Sequence, residues 1–332
     1  MGSARPTVFE FNASSAAPLQ FGFYATLFVH GVGGMPPELC GGVVIGPQWI
    51  MTAAHCVGPG VEAVTVYPAS MGSGWWPEIG NFESTTIVAS PAYSPDANNA
   101  AQDDIGIVRL RTPIPSAVVA TLDLSGARWR ALPDGSPLLS AGHGLTCNGG
   151  AECVSRTLMM ASVPKVDTAR CEADTSDAWP SDIVGGALCA GFVGVERAPQ
   201  PCQGDSGGPL FDSSGVVYAL VSRGDASLGC GNSMRPTLFA PVSRALKFLM
   251  SEVFAPPPAA GSRDAVVGPL AISVGDYPPP LAISVGDSPP RPPALATAGA
   301  RAAAYNQTSG AAALRLSALL ASAIALCASS LI

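Results

Sequence analysis

Charge is scarce in this chain. Asp, Glu, Lys and Arg make up 12% of its 332 residues, against roughly 25% in ordinary globular proteins. Basic residues are the rarer sign: 17 Lys and Arg against 24 Asp and Glu leave a formal charge of −7. That balance argues against a nucleic-acid partner, because phosphate recognition at this size goes with a basic surface. No CxxC pair and no Cys/His cluster with finger spacing occurs, so the nine cysteines are not read as zinc ligands, and neither metal nor cofactor is expected. A leader pattern is missing as well. The opening MGSARPTVFE has no basic stretch running into an apolar core, so the expectation is either an incomplete N-terminus or export by a route the sequence does not display. What is abundant narrows the class further. Hydrophobic residues reach 48%, too many for an acidic disordered chain, while 37 Gly and 32 Pro announce many turns or a low-complexity segment.

The prolines concentrate after Ala255. Within that region LAISVGDYPPP (Leu270 to Pro280) is followed at once by LAISVGDSPPR (Leu281 to Arg291). Two copies are too few for a solenoid, and the Pro clusters favour extended polyproline, so residues 255–313 read as a semi-rigid stalk or a duplicated flexible linker. Residues 314–332 form an apolar tail, LSALLASAIALCASSLI from Leu316, preceded by small residues at Ser309, Gly310 and Ala311. The pattern fits a lipid-anchor attachment signal. A terminal membrane helix and a tail without a role are the alternatives. Asn12 (NAS) and Asn306 (NQT) are sequons, consistent with a glycoprotein passing through a secretory route.

Residues 1–254 are therefore the folded domain. Short apolar, β-branched runs recur between Gly, Pro and Asp clusters, as in GGVVIGPQWIMTA from Gly41, TTIVAS from Thr85, IGIVRL from Ile105, VVYALVS from Val216 and TLFAPVS from Thr237. That cadence predicts an antiparallel all-β barrel or sandwich. Phe21 to Val29 reads as another strand. One helix is expected from Ser243 to about Val253, with Leu246, Leu249, Met250 and Val253 on its apolar face and Ser243 as its cap.

Three segments carry candidate chemistry: TAAHC with His55, DDIGIVRL with Asp104, and CQGDSGGPL with Ser206. A serine hydroxyl is a weak nucleophile that needs a base within reach and donors for a developing oxyanion. At average residue frequencies GDSGGP arises with a chance of about 10⁻⁷ per start position, which sets it apart from an ordinary turn. Gly204 permits the turn, and Gly207 and Gly208 are expected to leave room for a substrate backbone. Of the three histidines, His55 has the best context for a general base; His30 is expected in a solvated Gly-rich loop, and His143 lies in GHG. A buried carboxylate must hold the imidazole in the right tautomer, the task given to Asp104, while Asp103 is expected to be a solvated loop charge.

With these motifs in the order His, Asp, Ser, the chain resembles the trypsin/chymotrypsin-like serine proteases from roughly Val8 to Phe254. The resemblance implies two six-stranded antiparallel β-barrels with a C-terminal helix, and peptide-bond hydrolysis by His55, Asp104 and Ser206. It also implies an oxyanion hole from the Gly204 and Ser206 amides, and a Ser222 hydroxyl supporting Asp104. It implies three bridges as well, Cys40–Cys56, Cys171–Cys189 and Cys202–Cys230. Cys147 and Cys153 remain, close together in a Gly-rich loop, and a local bridge between them is inferred. The odd cysteine is Cys327 in the tail, which an anchor signal would take away with it.

Three positions depart from the family pattern. Gln200 and Thr237, at the specificity pocket, are uncharged, so a preference for Arg or Lys is not expected and a small or medium uncharged side chain is. Between Ser222 and Gly224, where the family carries an aromatic, stands Arg223, suited to acidic residues upstream of the cut. No Ile-Val-Gly-Gly activation segment is present; the equivalent stretch is Thr7-Val8-Phe9-Glu10, and Arg5 is followed by Pro6. Asp205, which pairs with the new terminus in the family, then needs another cation. The expectation is a secreted or surface-anchored, monomeric serine endopeptidase acting on protein or peptide substrates. The alternative is a protease-like binding or inhibitor module that does not cleave. The lipid anchor has a direct check: a phosphatidylinositol-specific phospholipase applied to intact cells should release the protein into the medium, and no release would exclude it.

Overall fold

Apolar runs without alternation, such as VVIG and IGIVRL, belong to strands buried on both faces. The computed structural model shows what covers them. It describes residues 9–10, 21–34, 36–72, 81–94, 100–148, 151–175, 186–195, 198–224, 229–230 and 234–253. All lie in the first of two units, Met1–Ile272. The Pro-rich repeat, the apolar tail with Cys327, both sequons and residues 1–8 fall outside the described residues.

Strands β2 (Tyr24–Gly31), β3 (Glu38–Gly46), β4 (Trp49–Thr52), β5 (Val61–Pro68), β6 (Phe82–Ala89) and β7 (Gly106–Leu110) close an antiparallel barrel in the order β2-β3-β4-β7-β6-β5. The second barrel consists of β9 (Pro137–Gly142), β10 (Met159–Val166), β11 (Leu188–Ala190), β12 (Pro209–Phe211), β13 (Val216–Arg223) and β14 (Thr237–Pro241). It closes where β9 pairs with β10. A short β1 (Phe9–Glu10) and β8 (Thr121–Leu122) are peripheral: β1 pairs with β10, and β8 runs parallel to β13. Among the described residues the α-helices are few and short: α1 (Ala127–Ala131), α2 (Thr168–Thr175) and α3 (Leu246–Glu252). Two six-stranded barrels and a C-terminal helix are what the sequence resemblance implies.

Successive residues of a strand face opposite sides, and here both sides are apolar. On β3, Val44 joins Leu27, Ile50, Val66 and Val108 inside the first barrel, while Val43 and Ile45 join a separate cluster with Phe21, Phe23, Met51, Ile107, Phe211 and Leu220. That second cluster draws residues from both barrels. The second barrel's own interior holds Leu138, Val163, Leu210 and Phe239. Strands such as β3 thus feed their own barrel with one face and the shared layer with the other, which is why these runs do not alternate.

Some boundaries differ from the sequence reading. Phe21–Phe23 form a turn, closed by Tyr24 N–H donating to Phe21 O at 2.8 Å, and the strand begins only at Tyr24. His30 sits on β2, not in a loop, with Nε2 3.0 Å from Thr65 Oγ1 on the neighbouring β5. Ser243 does not cap the last helix. It belongs to a 3-10 turn, Val242–Arg244, and α3 begins at Leu246 without a side-chain cap. A 3-10 segment winds at 3.0 residues per turn instead of 3.6, so three such residues rotate the helix after them by about 60°. The buried set becomes Val242, Ala245, Phe248 and Leu249, leaving Leu246 43% and Met250 56% exposed.

The shared layer is testable at Phe211, which meets Phe21 and Phe23 edge-on at ring-centre distances of 5.3 and 5.4 Å. Phe211→Ala should destabilise the domain by about 3–5 kcal/mol in urea denaturation. Met250→Ala, on the exposed side of α3, should stay within about 0.5 kcal/mol of wild type.

Candidate active site

His55 lies on a 3-10 turn, Ala54–Cys56, directly after β4. The small side chains of Ala53 and Ala54 let the start of this turn pack fully buried, and the Cys40–Cys56 disulfide ties it to β3. His55 meets Asp104 twice: its backbone N–H donates to Oδ1 at 2.9 Å, and its ring Nδ1 lies 2.6 Å from Oδ2. A carboxylate only accepts, so Nδ1 carries a proton, and the neutral form of the ring has its lone pair on Nε2. Asp104 is 2% exposed. Its third donor is the Ser222 hydroxyl, 2.6 Å from Oδ2, which comes from β13 of the other barrel. Asp103 is not the solvated charge expected of it. Its carboxylate takes both Nε and Nη2 of Arg244, at 2.7 and 3.1 Å.

Ser206 stands in a tight loop between Cys202 and β12. Asp205 N–H donates to Cys202 O, Gly208 N–H to Asp205 O, and Gly207 N–H to Val221 O, at 2.9, 2.9 and 2.8 Å. Among the described residues the amides of Gly204 and Ser206 donate to no protein acceptor. Gly204 has φ +96°, a left-handed conformation that glycine tolerates. The Ser206 carbonyl accepts from Gly41 N–H at 2.7 Å and lies 3.7 Å from Cys56 Sγ, so the loop leans on the segment that carries His55. The glycines after Ser206 are required by this close packing. A Cβ on Gly207 (φ +78°) would come within 2.2 Å of Thr52 Oγ1 and 2.6 Å of Gly41 O, and one on Gly208 within 2.8 Å of Ala141 O.

Beside Ser206 opens a cleft of about 310 Å³ lined by Gln200, Ser222, Arg223, Gly224 and Thr237. All five residues that the sequence assigned to a specificity pocket therefore share one cavity with Ser206. The Cys202–Cys230 disulfide is part of its wall. Sequence reasoning missed Asn148 as another lining residue. The Cys147–Cys153 bridge closes its loop, and Asn148 Oδ1 accepts from Cys230 N–H at 2.7 Å. The fourth bridge, Cys171–Cys189, joins α2 to β11 away from the cleft lining.

The family model described as Trypsin matches residues 11–249. The chain belongs to the trypsin family. Chymotrypsin-like elastase family member 1 from Felis catus is 32% identical over 222 residues, covering 65% of this chain and 79% of the relative. Its counterpart from Homo sapiens is also 32% identical, over 65% and 82%. Coagulation factor XII from Sus scrofa is 34% identical over 64% of this chain, but that span is only 35% of factor XII. A solved structure of HL collagenase shares the fold, with a TM-score of 0.59 at 23% identity, over 74% of this chain and 98% of that one. Family membership, together with a histidine and a serine on adjoining segments, makes this chain a trypsin-like serine protease homologue, and its four disulfides fit an extracellular protein.

Beside Ser206, Asp205 is buried in the wall of the loop. Its carboxylate is 4% exposed and accepts from Gly144 N–H at 2.7 Å and Cys202 N–H at 2.8 Å. Among the described residues no cation pairs with it. Burial pushes its pKa up to about 6, against the pull of the two amides. Gly142 and Gly144 flank it so closely that a Cβ on either would fall within 1.9 and 2.5 Å of the carboxyl group. The GHG of the sequence is thus a cradle for Asp205. His143 between them is 2% exposed, its Nδ1 3.0 Å from Ser155 O, and burial lowers its pKa to about 4. Tyr24 lies beside it at a ring-centre distance of 5.9 Å, its phenol driven well above the usual range by burial and then by the Asp205 charge.

These two shifts give opposing pH slopes. Asp205, raised from 3.8 to about 6 on folding, favours the folded state below pH 4 and loses that contribution as the pH rises through 6. His143, lowered from 6.5 to about 4, contributes fully above pH 6.5 and loses its contribution as the pH falls through 4. Each shift amounts to roughly 3 kcal/mol, so the two largely cancel between pH 4 and 6 in the wild type. Asp205→Asn should unmask stability that rises with pH across this window, and His143→Phe stability that falls. Urea denaturation at several pH values checks this; three parallel profiles would refute it.

Proposed function

We propose that this chain is a serine endopeptidase that hydrolyses peptide bonds through an acyl-enzyme. The observation that carries the reading is the orientation of His55: its Nδ1 is held on a buried carboxylate, which leaves the Nε2 lone pair to act as base. In this reading Ser206 Oγ attacks the scissile carbonyl while His55 takes its proton. Asp104 stays ionised and stabilises the imidazolium. The Gly204 and Ser206 amides, which donate to no protein acceptor among the described residues, receive the negative charge that develops on the carbonyl oxygen. His55 then protonates the leaving amine, and water, activated by the same imidazole, releases the acyl group from Ser206.

The cleft beside Ser206 takes the side chain that precedes the cut. With Gln200 and Thr237 uncharged, it suits a small or medium neutral side chain, and Arg223 at its lining favours acidic residues further upstream. No cofactor enters this chemistry. The stalk and apolar tail in this reading present the protease domain, as a monomer, at the cell surface. The silent-module alternative draws on one observation, the Asp205 carboxylate with amide donors but no cation among the described residues.

One substitution separates the two. Ser206→Ala should lower hydrolysis of casein by roughly 10⁴-fold and abolish labelling by a fluorophosphonate probe, with the melting transition unchanged. Wild type and Ser206→Ala behaving alike in both assays would overturn the acyl-enzyme reading, and neither cleaving casein would establish the non-cleaving alternative.

A further inference from the structure

The Asp103–Arg244 pair joins residues 141 positions apart and crosses from one barrel to the other. Asp103 ends the 3-10 turn Ala100–Asp103 that leads into β7 of the first barrel. Arg244 ends the 3-10 turn that comes after β14 of the second. The contact uses both partners' forks, Nε to Oδ1 at 2.7 Å and Nη2 to Oδ2 at 3.1 Å. The Asp103 side chain is 15% exposed and that of Arg244 43%. Two-point guanidinium–carboxylate contacts fix direction as well as distance, which single surface ion pairs do not. The pair Arg111–Glu83 is of the latter kind, at 3.6 Å with side chains 65% and 70% exposed.

What the clamp holds is the backbone around Asp104. Ile105 N–H donates to Asp103 O at 2.8 Å, a three-residue turn with Asp104 at its centre. Fixing the Asp103 side chain from the second barrel and its carbonyl within this turn leaves Asp104 little freedom to rotate. Asp104 in turn sets both contacts to His55, at 2.9 and 2.6 Å. Ser222 reaches Asp104 from the second barrel too, so that barrel grips the segment at two adjacent residues, one through the carboxylate of Asp104 and one through that of Asp103.

We propose that Arg244 and Asp103 are positioning residues for proton transfer: their inter-barrel clamp fixes the turn that aims the Asp104 carboxylate at His55. The proposal rests on the acyl-transfer reading of Ser206 and His55. Neither residue belongs to the cleft lining, so their loss acts on the chemical step and not on substrate affinity.

The test uses the full chain with Arg244→Ala, Asp103→Ala, the double variant, and Arg111→Ala as the exposed-pair control. Arg244→Ala and Asp103→Ala should each lower kcat about tenfold or more with KM within about twofold of wild type, because small misplacements of catalytic groups carry such losses. The double variant should be no worse than either single one, the signature of a shared interaction. Millimolar guanidinium ion should restore part of the rate to Arg244→Ala and none to Asp103→Ala. Arg111→Ala should match wild type. Independently of turnover, the downfield proton resonance of His55 Nδ1 should shift or broaden in Arg244→Ala. A folded Arg244→Ala with wild-type kcat and an unchanged Nδ1 resonance overturns the proposal. If Arg244→Ala does not fold, Arg244→Lys, which keeps the charge without the fork, is read in the same way and should fall between wild type and Asp103→Ala. Should Ser206→Ala prove as active as wild type, the acyl-transfer reading fails, and the Nδ1 resonance still decides the clamp.

Discussion

The carboxylate of Asp104 is the constraint on which the candidate site depends. A charge held at 2% exposure is tolerable only if its lone pairs are filled, and three donors fill them: the His55 amide, the His55 ring and the Ser222 hydroxyl. Those donors come from different parts of the chain. His55 is delivered by the turn after β4, and Ser222 by β13 of the second barrel. The carboxylate is therefore satisfied only when both barrels are closed and docked. The order of the site and the order of the fold are one requirement.

The docking has its own physical basis in the layer between the barrels. Val43, Met51 and Ile107 on one side and Phe211 and Leu220 on the other supply apolar area without direction. Direction comes from backbone groups. Gly41 N–H donates to the Ser206 carbonyl, and the close approach of Gly207 to Thr52 and Gly41 leaves no space for a side chain. The loop carrying Ser206 is thus bonded to the same β3 segment that the Cys40–Cys56 bridge ties to His55. The spacing between the Ser206 and His55 segments is therefore set by main-chain contacts.

Much of this was legible in the sequence because it is written locally. The apolar runs marked the strands, and their lack of alternation is the trace of burial on two faces. TAAHC and GDSGGP named His55 and Ser206 by their neighbours alone. What the sequence did not disclose depends on partners far along the chain. Asp103 reads as a loop charge until Arg244, 141 residues later, folds onto it. GHG carries no assignment until its glycines are seen to flank the Asp205 carboxyl group, 61 residues beyond Gly144. Asn148 carries no motif at all, and its role in the cleft wall exists only through Cys230. The helix near the C-terminus shows a different kind of miss. Its periodicity predicted the right element and the burial of Leu249, but after a 3-10 entry the buried face takes in Phe248 and leaves Leu246 and Met250 exposed.

Asp104 and Asp205 place the same chemical group in nearly the same degree of burial, and the difference between them lies in their donors. Asp104 accepts from an imidazole that can itself become charged, so in the proposed mechanism a positive charge forming on His55 would be stabilised where it arises. Asp205 accepts from two amides only, Gly144 and Cys202. Amides orient a carboxylate without neutralising it, and burial accordingly drives its pKa to about 6. The Gly-His-Gly cradle adds a histidine that burial keeps neutral, so it brings no compensating charge at neutral pH. In that mechanism one carboxylate meets a charge that comes and goes, while the other holds the Ser206 loop by geometry. Substituting Asn for Asp would, in the same reading, take away the charge that supports His55 in the first and relieve the desolvation of the second.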